Sequence, residues 1–281
     1  MNKKKYIIGV LIAVIVIGIA VAVVIKTPLF KKEKTAEEKL LEKPGKTLLY
    51  FSPHQDDEML TEGIDIAVSI ENGYDVHVIL CTDGSICNVK EKLNNGKHCK
   101  SCNTDHNYMV TTEEFVQSRD SEFIGSCLAL GVKRDNIHIE ETRMVDGSET
   151  AEGTKEIIKK YLELFGKNCT VCAVFPNDPE VQHRDHNALG LAATELKDEG
   201  VIKNLYLFEE PYNLEKVSRG DREEPNIYYA SDEIMTKLQK AVDEYHKWDP
   251  ENGRYAVGYH SAGERMENVL SEKALYYHIY E

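Results

Sequence analysis

Short apolar runs alternate with amphipathic segments along the chain from residue 47 onwards. Five runs have the length and the β-branched or aromatic content of strands, and they lie at residues 47–51, 76–81, 136–140, 170–175 and 204–208. Five other segments repeat apolar residues at helical spacing, at residues 58–71, 112–130, 154–165, 185–199 and 262–269. This alternation predicts an α/β sandwich with a mostly parallel sheet.

Residues 85–110 interrupt the alternation. The segment is polar, holds three cysteines and shows no periodicity, so we predict a long loop. Long loops in compact domains often form lids or walls of binding sites, and this loop is expected to shape a substrate pocket.

The N-terminus carries a different pattern. Residues 6–25 are 20 consecutive residues without a charge, which would span about 30 Å as a helix. The run is longer than that of a cleaved signal peptide and lacks a small-residue cleavage site. We therefore predict an N-terminal transmembrane helix within a membrane anchor at residues 1–26, a charged linker at 27–46 and one domain at 47–281.

Charge restricts the possible functions of the body of the protein, residues 35–281. The net charge is −14; seven lysines and one acid precede residue 35, which leaves 27 basic and 47 acidic residues in the remainder. Such an acidic surface repels a phosphate backbone, so we expect no nucleic-acid binding. Lysines flank both sides of the apolar run, so the positive-inside rule does not decide its orientation. The short N-terminus favours a body on the extracytoplasmic side of the cell membrane.

Seven cysteines allow several interpretations, and they are Cys81, Cys87, Cys99, Cys102, Cys127, Cys169 and Cys172. Cys81 and Cys127 lie in apolar stretches and are expected in the core. Two CxxC pairs resemble half-sites for zinc, but the second lies in a predicted strand, where alternation points its two thiols to opposite faces. If the body is exported, a disulfide among the three cysteines of the 85–110 segment is expected instead.

Two loops combine imidazole and carboxylate groups directly after predicted strands. The first is Ser52–Glu58 and the second is Pro176–His186. His54 and Asp57 are three residues apart, so both can face one point, and His186 would complete three protein ligands. Neutral imidazole and carboxylate are zinc ligands, and three of them with a fourth position open to water are typical of catalytic Zn²⁺.

The neighbours of these ligands suggest proton-transfer chemistry. Asp56 is positioned as a general base beside the metal. His183 would protonate a leaving amine or stabilise an oxyanion, and Asp185 would fix its tautomer. Each loop alone would more often be an acidic helix start or a pair of surface histidines; the two loops together favour a metal site.

The motifs PHQDDE at 53–58 and HRDH at 183–186 resemble the PIG-L/LmbE-like zinc-dependent deacetylase family, whose pattern is [AP]HPDDE followed by HPDH or HxxH. The resemblance runs from about residue 46 to 207. It implies a Rossmann-like fold and hydrolysis of an N-acetyl group, usually from an N-acetylglucosaminyl conjugate. The roles that it implies are zinc ligation by His54, Asp57 and His186, with Asp56 as base and His183 as assisting acid.

The chain also departs from the family pattern. Gln55 and Arg184 replace the usual prolines, which changes loop stiffness but removes no ligand. Arg119 and Glu122 fit the family's R-x-x-E element. Arg119 would contact the sugar or close the pocket, or the two residues would form an i,i+3 pair on a solvated face. The remaining histidines receive no assigned role; these include His98, His106 and His260.

The leading hypothesis is a membrane-anchored, zinc-dependent amide hydrolase that removes acetyl from an N-acetylglucosamine-type conjugate. One alternative is a catalytically silent, membrane-tethered glycan-binding protein of the same fold. Another is a thiol-redox protein that uses the CxxC pairs, which requires reactive thiols.

Overall fold

The computed structural model describes residues 33–100, 102–176, 183–214 and 224–280. The chain divides into two units, and the folded domain is the unit Ala36–Glu281. No helix among the described residues is long and apolar enough to cross a bilayer. The predicted span at residues 6–25 lies outside the described part of the chain.

Helices in the described residues are α1 (Ala36–Leu41), α2 (Asp57–Leu60), α3 (Gly63–Glu71), α4 (Val89–Asn94), α5 (Thr112–Leu130), α6 (Ala151–Phe165), α7 (Arg184–Asp198), α8 (Asp232–Tyr245) and α9 (Val257–Glu272). Short 3-10 turns lie at Arg134–Asn136, Pro211–Asn213 and Pro250–Asn252. The strands are β1 (Thr47–Ser52), β2 (Asp75–Thr82), β3 (His98–Cys99), β4 (Thr104–Asp105), β5 (Ile137–Met144), β6 (Thr170–Val174), β7 (Asn204–Glu209), β8 (Asn226–Tyr229), β9 (Trp248–Asp249), β10 (Arg254–Tyr255) and β11 (Ala274–Tyr280).

The main sheet of the described residues has the order β5-β2-β1-β6-β7-β11-β8. The first five strands are parallel, whereas β11 runs antiparallel to both β7 and β8. The mostly parallel α/β sheet is as predicted, and it is compatible with Rossmann-like layers. The antiparallel edge was not predicted.

Helices cover both faces of the sheet. Leu48 and Tyr50 point to a core built with α1, α3, α5, α8 and α9. Leu49 and Phe51 point to a second core under α6 and α7. Because successive side chains alternate across a strand, β1 contributes side chains to both cores. It is buried on both faces, as expected for a central parallel strand.

Several predicted elements differ from the observed ones. The helix predicted at 58–71 is split into α2 and α3 at the buried Glu62, whose carboxylate accepts a hydrogen bond from Ser52 Oγ at 3.1 Å. The segment 85–110 is not a continuous loop, since it contains α4 and the β3–β4 hairpin. The predicted helix 112–130 is present, and Thr111 with Glu114 forms its capping box.

The domain also begins earlier than the predicted boundary at residue 47. Leu40 in α1 is fully buried. Lys43 is buried as well, and its ammonium donates to Asp65 Oδ1 at 2.7 Å and to the carbonyl of Leu40 at 2.8 Å. Residues 36–46 therefore pack as part of the domain instead of forming a free linker.

All seven cysteines lie in the described residues and none of them forms a disulfide there. Cys81 and Cys127 are buried, as predicted. Cys169 and Cys172 belong to the two cores on opposite faces of the sheet. The second CxxC pair therefore cannot act as a half-site for one metal.

Candidate active site

A polar pocket lies at the carboxyl ends of the parallel strands. It encloses about 420 Å³ and is lined by His54, Asp56, Ile86, Cys87, Asn88, Arg119, Asp146, His183, His186, Tyr212, Asn213, Ser261, Ala262 and Arg265. Strand order reverses between β1 and β6, because the chain continues from β1 to β2 and β5 but from β6 to β7. Such switch points are where open α/β sheets bind ligands.

The structure brings the three predicted metal ligands to one point. His54 Nδ1 lies 3.2 Å from Asp57 Oδ2 and 3.2 Å from His186 Nε2. The third side of this triangle, from His186 Nε2 to Asp57 Oδ2, is 3.0 Å. Ligands about 2.0–2.2 Å from a zinc ion lie roughly 3.3 Å from one another, so this donor set fits Zn²⁺.

Local structure explains how these ligands converge. His54 follows β1, and its backbone N–H donates to Asp57 Oδ2 at 3.0 Å, which closes the loop. His186 lies in the first turn of α7, which begins at the carboxyl end of β6. Burial by itself raises the pKa of Asp57, but the adjacent His186 and His54 outweigh it and hold this pKa well below its usual range. Asp57 is therefore held as a carboxylate, which is the form that a metal ion would bind.

The other ring nitrogen of His54 is held by carboxylates. His54 Nε2 lies 3.1 Å from Asp185 Oδ2 and 3.4 Å from Asp146 Oδ1. Asp185 is itself fixed by the backbone N–H groups of Gly147 at 2.7 Å and Glu149 at 3.1 Å. A carboxylate on the far nitrogen of a metal-binding histidine sets its tautomer and orientation.

Asp185 therefore has a different partner from the one predicted. Its Oδ2 lies 3.8 Å from His183 Nδ1, too far for a hydrogen bond. The contact between these two residues runs through the backbone, since Asp185 N–H donates to His183 Nδ1 at 3.4 Å. Asp185 fixes the ring of His54, and His183 caps the N-terminus of α7.

Asp146 is a pocket residue that belongs to neither sequence motif. It lies in the turn after β5, and its Oδ2 accepts a hydrogen bond from Ile86 N–H at 3.2 Å. The available signal was an Asp-Gly turn directly after a parallel strand. The carboxyl ends of parallel strands meet at one edge of the sheet, so this turn reaches the same pocket as His54.

Asp56 has an unusual backbone conformation at the pocket wall. Its φ of 131° is in the region that disfavours side chains. Its N–H donates to Glu58 Oε2 at 3.0 Å, and Glu58 Oε1 accepts from Tyr245 OH at 2.6 Å. Burial and the charge of Asp57 raise the pKa of Asp56 to about 6, although Arg119 opposes them. The strained turn aims the Asp56 carboxyl at the pocket.

His183 lies opposite, at the mouth of the pocket. Its side chain is 46% exposed, and its ring packs edge-on against His54 with centroids 4.6 Å apart. Burial and the neighbouring His54 lower the pKa of His183. His183 Nε2 lies 3.9 Å from Asp146 Oδ1, so the ring is placed near the ligands and remains reachable from solvent.

Arg119 is buried beneath the pocket and does not form a solvated pair. It donates to the carbonyls of Gly84 at 2.8 Å and Gln55 at 2.9 Å, and it lies 3.9 Å from the carboxylates of both Asp56 and Asp146. Gly84 has φ +64°, and a Cβ there would lie 2.7 Å from the Arg119 guanidinium. The turn after β2 thus requires glycine so that the arginine can reach the site.

Glu122 is also buried, which excludes the predicted surface pair. Its two carboxylate oxygens accept the backbone N–H groups of Val257 at 2.7 Å and Gly258 at 2.9 Å, at the start of α9. The same helix contributes Arg265, which pairs with both oxygens of Glu210 and lies 3.8 Å from Asp57 Oδ1. Arg265 carries no motif signal, and only the packing of α9 reveals it.

Comparisons with known proteins identify the family and the fold. A family model described as PIG-L, GlcNAc-PI de-N-acetylase, matches residues 49–197. No curated protein sequence is significantly similar to the chain. N,N'-diacetylchitobiose deacetylase from Pyrococcus horikoshii superposes with a TM-score of 0.55 at 19% identity, covering 89% of this chain and 95% of its own.

Two further solved structures share the fold. The A40926 pseudoaglycone deacetylase Dbv21 has a TM-score of 0.55 at 18% identity, covering 84% of this chain and 98% of its own. The zinc-inhibited form of teicoplanin deacetylase Orf2 has a TM-score of 0.53 at 16% identity, covering 84% and 99%. The family match itself spans more than half of the chain and contains both motif loops. The chain therefore belongs to the PIG-L family of zinc-dependent N-acetyl-sugar deacetylases.

Proposed function

We propose that this protein hydrolyses the acetamide of an N-acetylglucosamine-type sugar conjugate. The observation that carries the proposal is the triangle of His54, Asp57 and His186 in one pocket with Asp56. A catalytically silent glycan-binding protein would need a polar pocket, but it would have no need of a buried carboxyl beside a three-ligand metal site.

The residues divide the chemistry among them. His54, Asp57 and His186 would hold zinc, which polarises a carbonyl and lowers the pKa of water when bound. Asp56 accepts the proton of the attacking water and passes it to the departing amine nitrogen. His183 donates a hydrogen bond to the oxygen that becomes negative during attack.

The arginines would organise the pocket around this chemistry. Two guanidinium nitrogens of Arg119 donate hydrogen bonds to backbone carbonyls. We therefore propose that Arg119 mainly stabilises the pocket floor beneath Asp56, and that any contact with the sugar is an additional role. Arg265, in α9, lines the pocket as well. The cavity of about 420 Å³ lies within the range of roughly 300–1,000 Å³ that is usual for small-molecule sites.

Paired substitutions at the adjacent aspartates test the proposal. Asp56→Asn should reduce turnover of an N-acetylglucosaminyl conjugate by about 10²–10⁴-fold, as expected for loss of a general base, while zinc content stays at the parent level. Asp57→Asn should lose both zinc and turnover. The measurements are acetate release and zinc content on the same preparations. Full turnover in Asp56→Asn, or sugar binding without acetate release in the zinc-loaded parent, would contradict the proposal.

The proposed location is the extracytoplasmic face of the cell membrane, with residues 6–25 as the anchor. The support is the sequence alone, in the 20 uncharged residues of that run. Such an anchor would favour a membrane-proximal sugar conjugate. Protease added to intact cells should digest the domain; an undigested domain would place it in the cytoplasm and contradict the proposed location. Extraction with alkaline carbonate should leave the anchored chain in the membrane fraction.

A further inference from the structure

The segment 85–110 carries a second cluster of metal-ligating side chains outside the catalytic triangle. Cys99 is in β3, Cys102 is in the hairpin turn and His106 follows β4. The fourth member, His260, comes from the first turn of α9. We propose that these four residues bind a structural zinc ion, distinct from the ion at His54, Asp57 and His186.

The distances within this cluster suit a single small ion. One ligand atom from each of the four residues can be chosen so that all lie within 4.8 Å of one another. Cys102 Sγ is 3.0 Å from His106 Nε2. Around zinc, sulfur at about 2.3 Å and nitrogen at about 2.0–2.1 Å lie roughly 3.6 Å apart in a tetrahedron. Cys102 and His106 would move slightly apart to reach this separation, and the upper limit of 4.8 Å on the other distances leaves only small side-chain adjustments.

His260 is already oriented as a ligand. Its Nδ1 donates to the carbonyl of Ala256 at 2.7 Å, which leaves the lone pair on Nε2. His260 is only 7% exposed. Its buried Nε2 has no hydrogen-bond partner within the described part of the chain. A backbone carbonyl on one ring nitrogen with the other directed into a cluster is the usual arrangement of a zinc-binding histidine.

The donor set indicates a structural rather than a catalytic ion. Two thiolates with two neutral imidazoles form a Cys₂His₂ set, which is typical of closed structural zinc sites. As the ion binds, each thiol releases its proton to solvent and its sulfur becomes a ligand. Four protein ligands would fill a tetrahedral set and leave no position for a substrate. Cys99, His106 and His260 are each at least nine-tenths buried, and Cys102 is half-buried.

The ion would join two segments that line the catalytic pocket. Cys99, Cys102 and His106 belong to the segment that also contributes Ile86 to the pocket wall, and His260 directly precedes the wall residue Ser261. The second zinc would therefore fix the wall formed by these two segments. This consequence rests on the proposed function, whereas binding of the ion does not.

Zinc content of the purified full-length chain tests the inference. We expect about two zinc ions per chain in the parent and one in each of Cys102→Ser and His186→Ala. His98→Ala is the matched control, since His98 is an exposed histidine in the same hairpin that bonds to Asp105 instead of the cluster; it should retain two.

Cobalt substitution provides a readout that does not depend on how a cysteine variant folds. In the His186→Ala protein, Co²⁺ should still produce the near-ultraviolet thiolate-to-cobalt charge-transfer band, because the remaining ion is bound by sulfur. In Cys102→Ser, this band should be lost or halved. Absence of the band in both the parent and His186→Ala, or a Cys99–Cys102 disulfide found by mass spectrometry, would overturn the inference. Two zinc ions in a parent without deacetylase activity would contradict the proposed function alone.

Discussion

Among single residues, His54 is central to the site because each of its two ring nitrogens contacts a different carboxylate. One ring nitrogen faces Asp57 and His186, the other two proposed zinc ligands, and the second ring nitrogen faces Asp185. Asp185 receives two backbone N–H groups in addition, so its position is set before any metal binds. A ligand that is oriented in advance loses less conformational freedom when the ion arrives.

Asp185→Asn should weaken zinc binding at the catalytic triangle. An asparagine has one oxygen where Asp185 uses two, so either His54 or a backbone N–H loses its acceptor. We expect zinc affinity to fall by about 10–100-fold, measured by competition with a chromogenic chelator. Asp198→Asn, at the exposed end of the same helix, is the control and should leave the affinity unchanged. Unaltered affinity in Asp185→Asn would show that Asp146 is sufficient to orient His54.

At the scale of elements, α9 is positioned by a side chain from α5. Glu122 accepts the first backbone N–H groups of α9, which have no acceptor inside their own helix. The residue before this helix, Ala256, has a φ of 46°, so the chain enters α9 through a turn that the Glu122 contacts hold in place. Arg265 and His260 both depend on that entry.

Glu122→Gln should therefore destabilise the domain. Glutamine offers one acceptor for the two N–H groups, and a buried donor left without an acceptor costs about 1–3 kcal/mol. Urea unfolding measures the change in the free energy of unfolding. Glu113→Gln, an exposed change in the first turn of the same helix, serves as the matched control and should alter stability little. Equal stability of the two variants would mean that water replaces the carboxylate.

The pair of strands β2 and β5 carries a pH-sensitive contact away from the pocket. His77 Nδ1 lies 3.0 Å from His138 Nε2, and the rings stack with centroids 5.3 Å apart. Burial lowers the pKa of both, although Asp75 opposes this shift at His77 and Glu140 opposes it at His138. The folded protein therefore favours the neutral rings.

Acidification should weaken the fold through these two histidines. Unfolded histidine binds a proton near pH 6.5, above the lowered folded pKa values, so the stability is fully present above that pH and declines as the pH falls below it. The free energy of unfolding of His77→Gln should fall less between pH 7 and 5 than that of the parent. His98→Gln, an exposed substitution, should keep the parent slope; an identical slope in all three proteins would refute the assignment.

At the scale of the whole molecule, the beginning of the domain is tied into its core. Lys43 is bound by Asp65, the Leu40 carbonyl and Ser69 Oγ, and Tyr50 OH donates to the other oxygen of Asp65 at 2.7 Å. This buried network joins the segment before β1 to α3 and to the central strand. The motif loop Ser52–Glu58, which carries His54 and Asp57, begins at the other end of that strand.

Lys43→Ala should be strongly destabilising, because it leaves the buried Asp65 carboxylate without its cation. Breaking a buried ion pair in this way costs about 3–5 kcal/mol, which thermal and urea unfolding would detect. Lys46→Ala removes an exposed lysine nearby and should have little effect. If both variants unfold like the parent, the buried contact between Lys43 and Asp65 contributes no net stability.

Local sequence patterns are sufficient to predict the parallel α/β core and the two motif loops. Apolar runs such as 47–51 and 170–175 reveal strands because burial on both faces requires continuous hydrophobicity. His54 with Asp57, and His183 with His186, are close along the chain, so spacing alone suggests a shared function. The placement of both loops after strands then predicts that they meet.

The residues that support these loops from distant parts of the chain are identified by the folded structure alone. Asp146, Arg265 and the partner of Asp185 follow from strand order and helix packing, which bring together segments that local spacing does not relate. Likewise, His260 lies more than 150 residues from the first CxxC pair, so no sequence pattern could join them. Local propensity and periodicity act over a few turns, whereas the core contacts that close the pocket are made between elements that are distant in the chain.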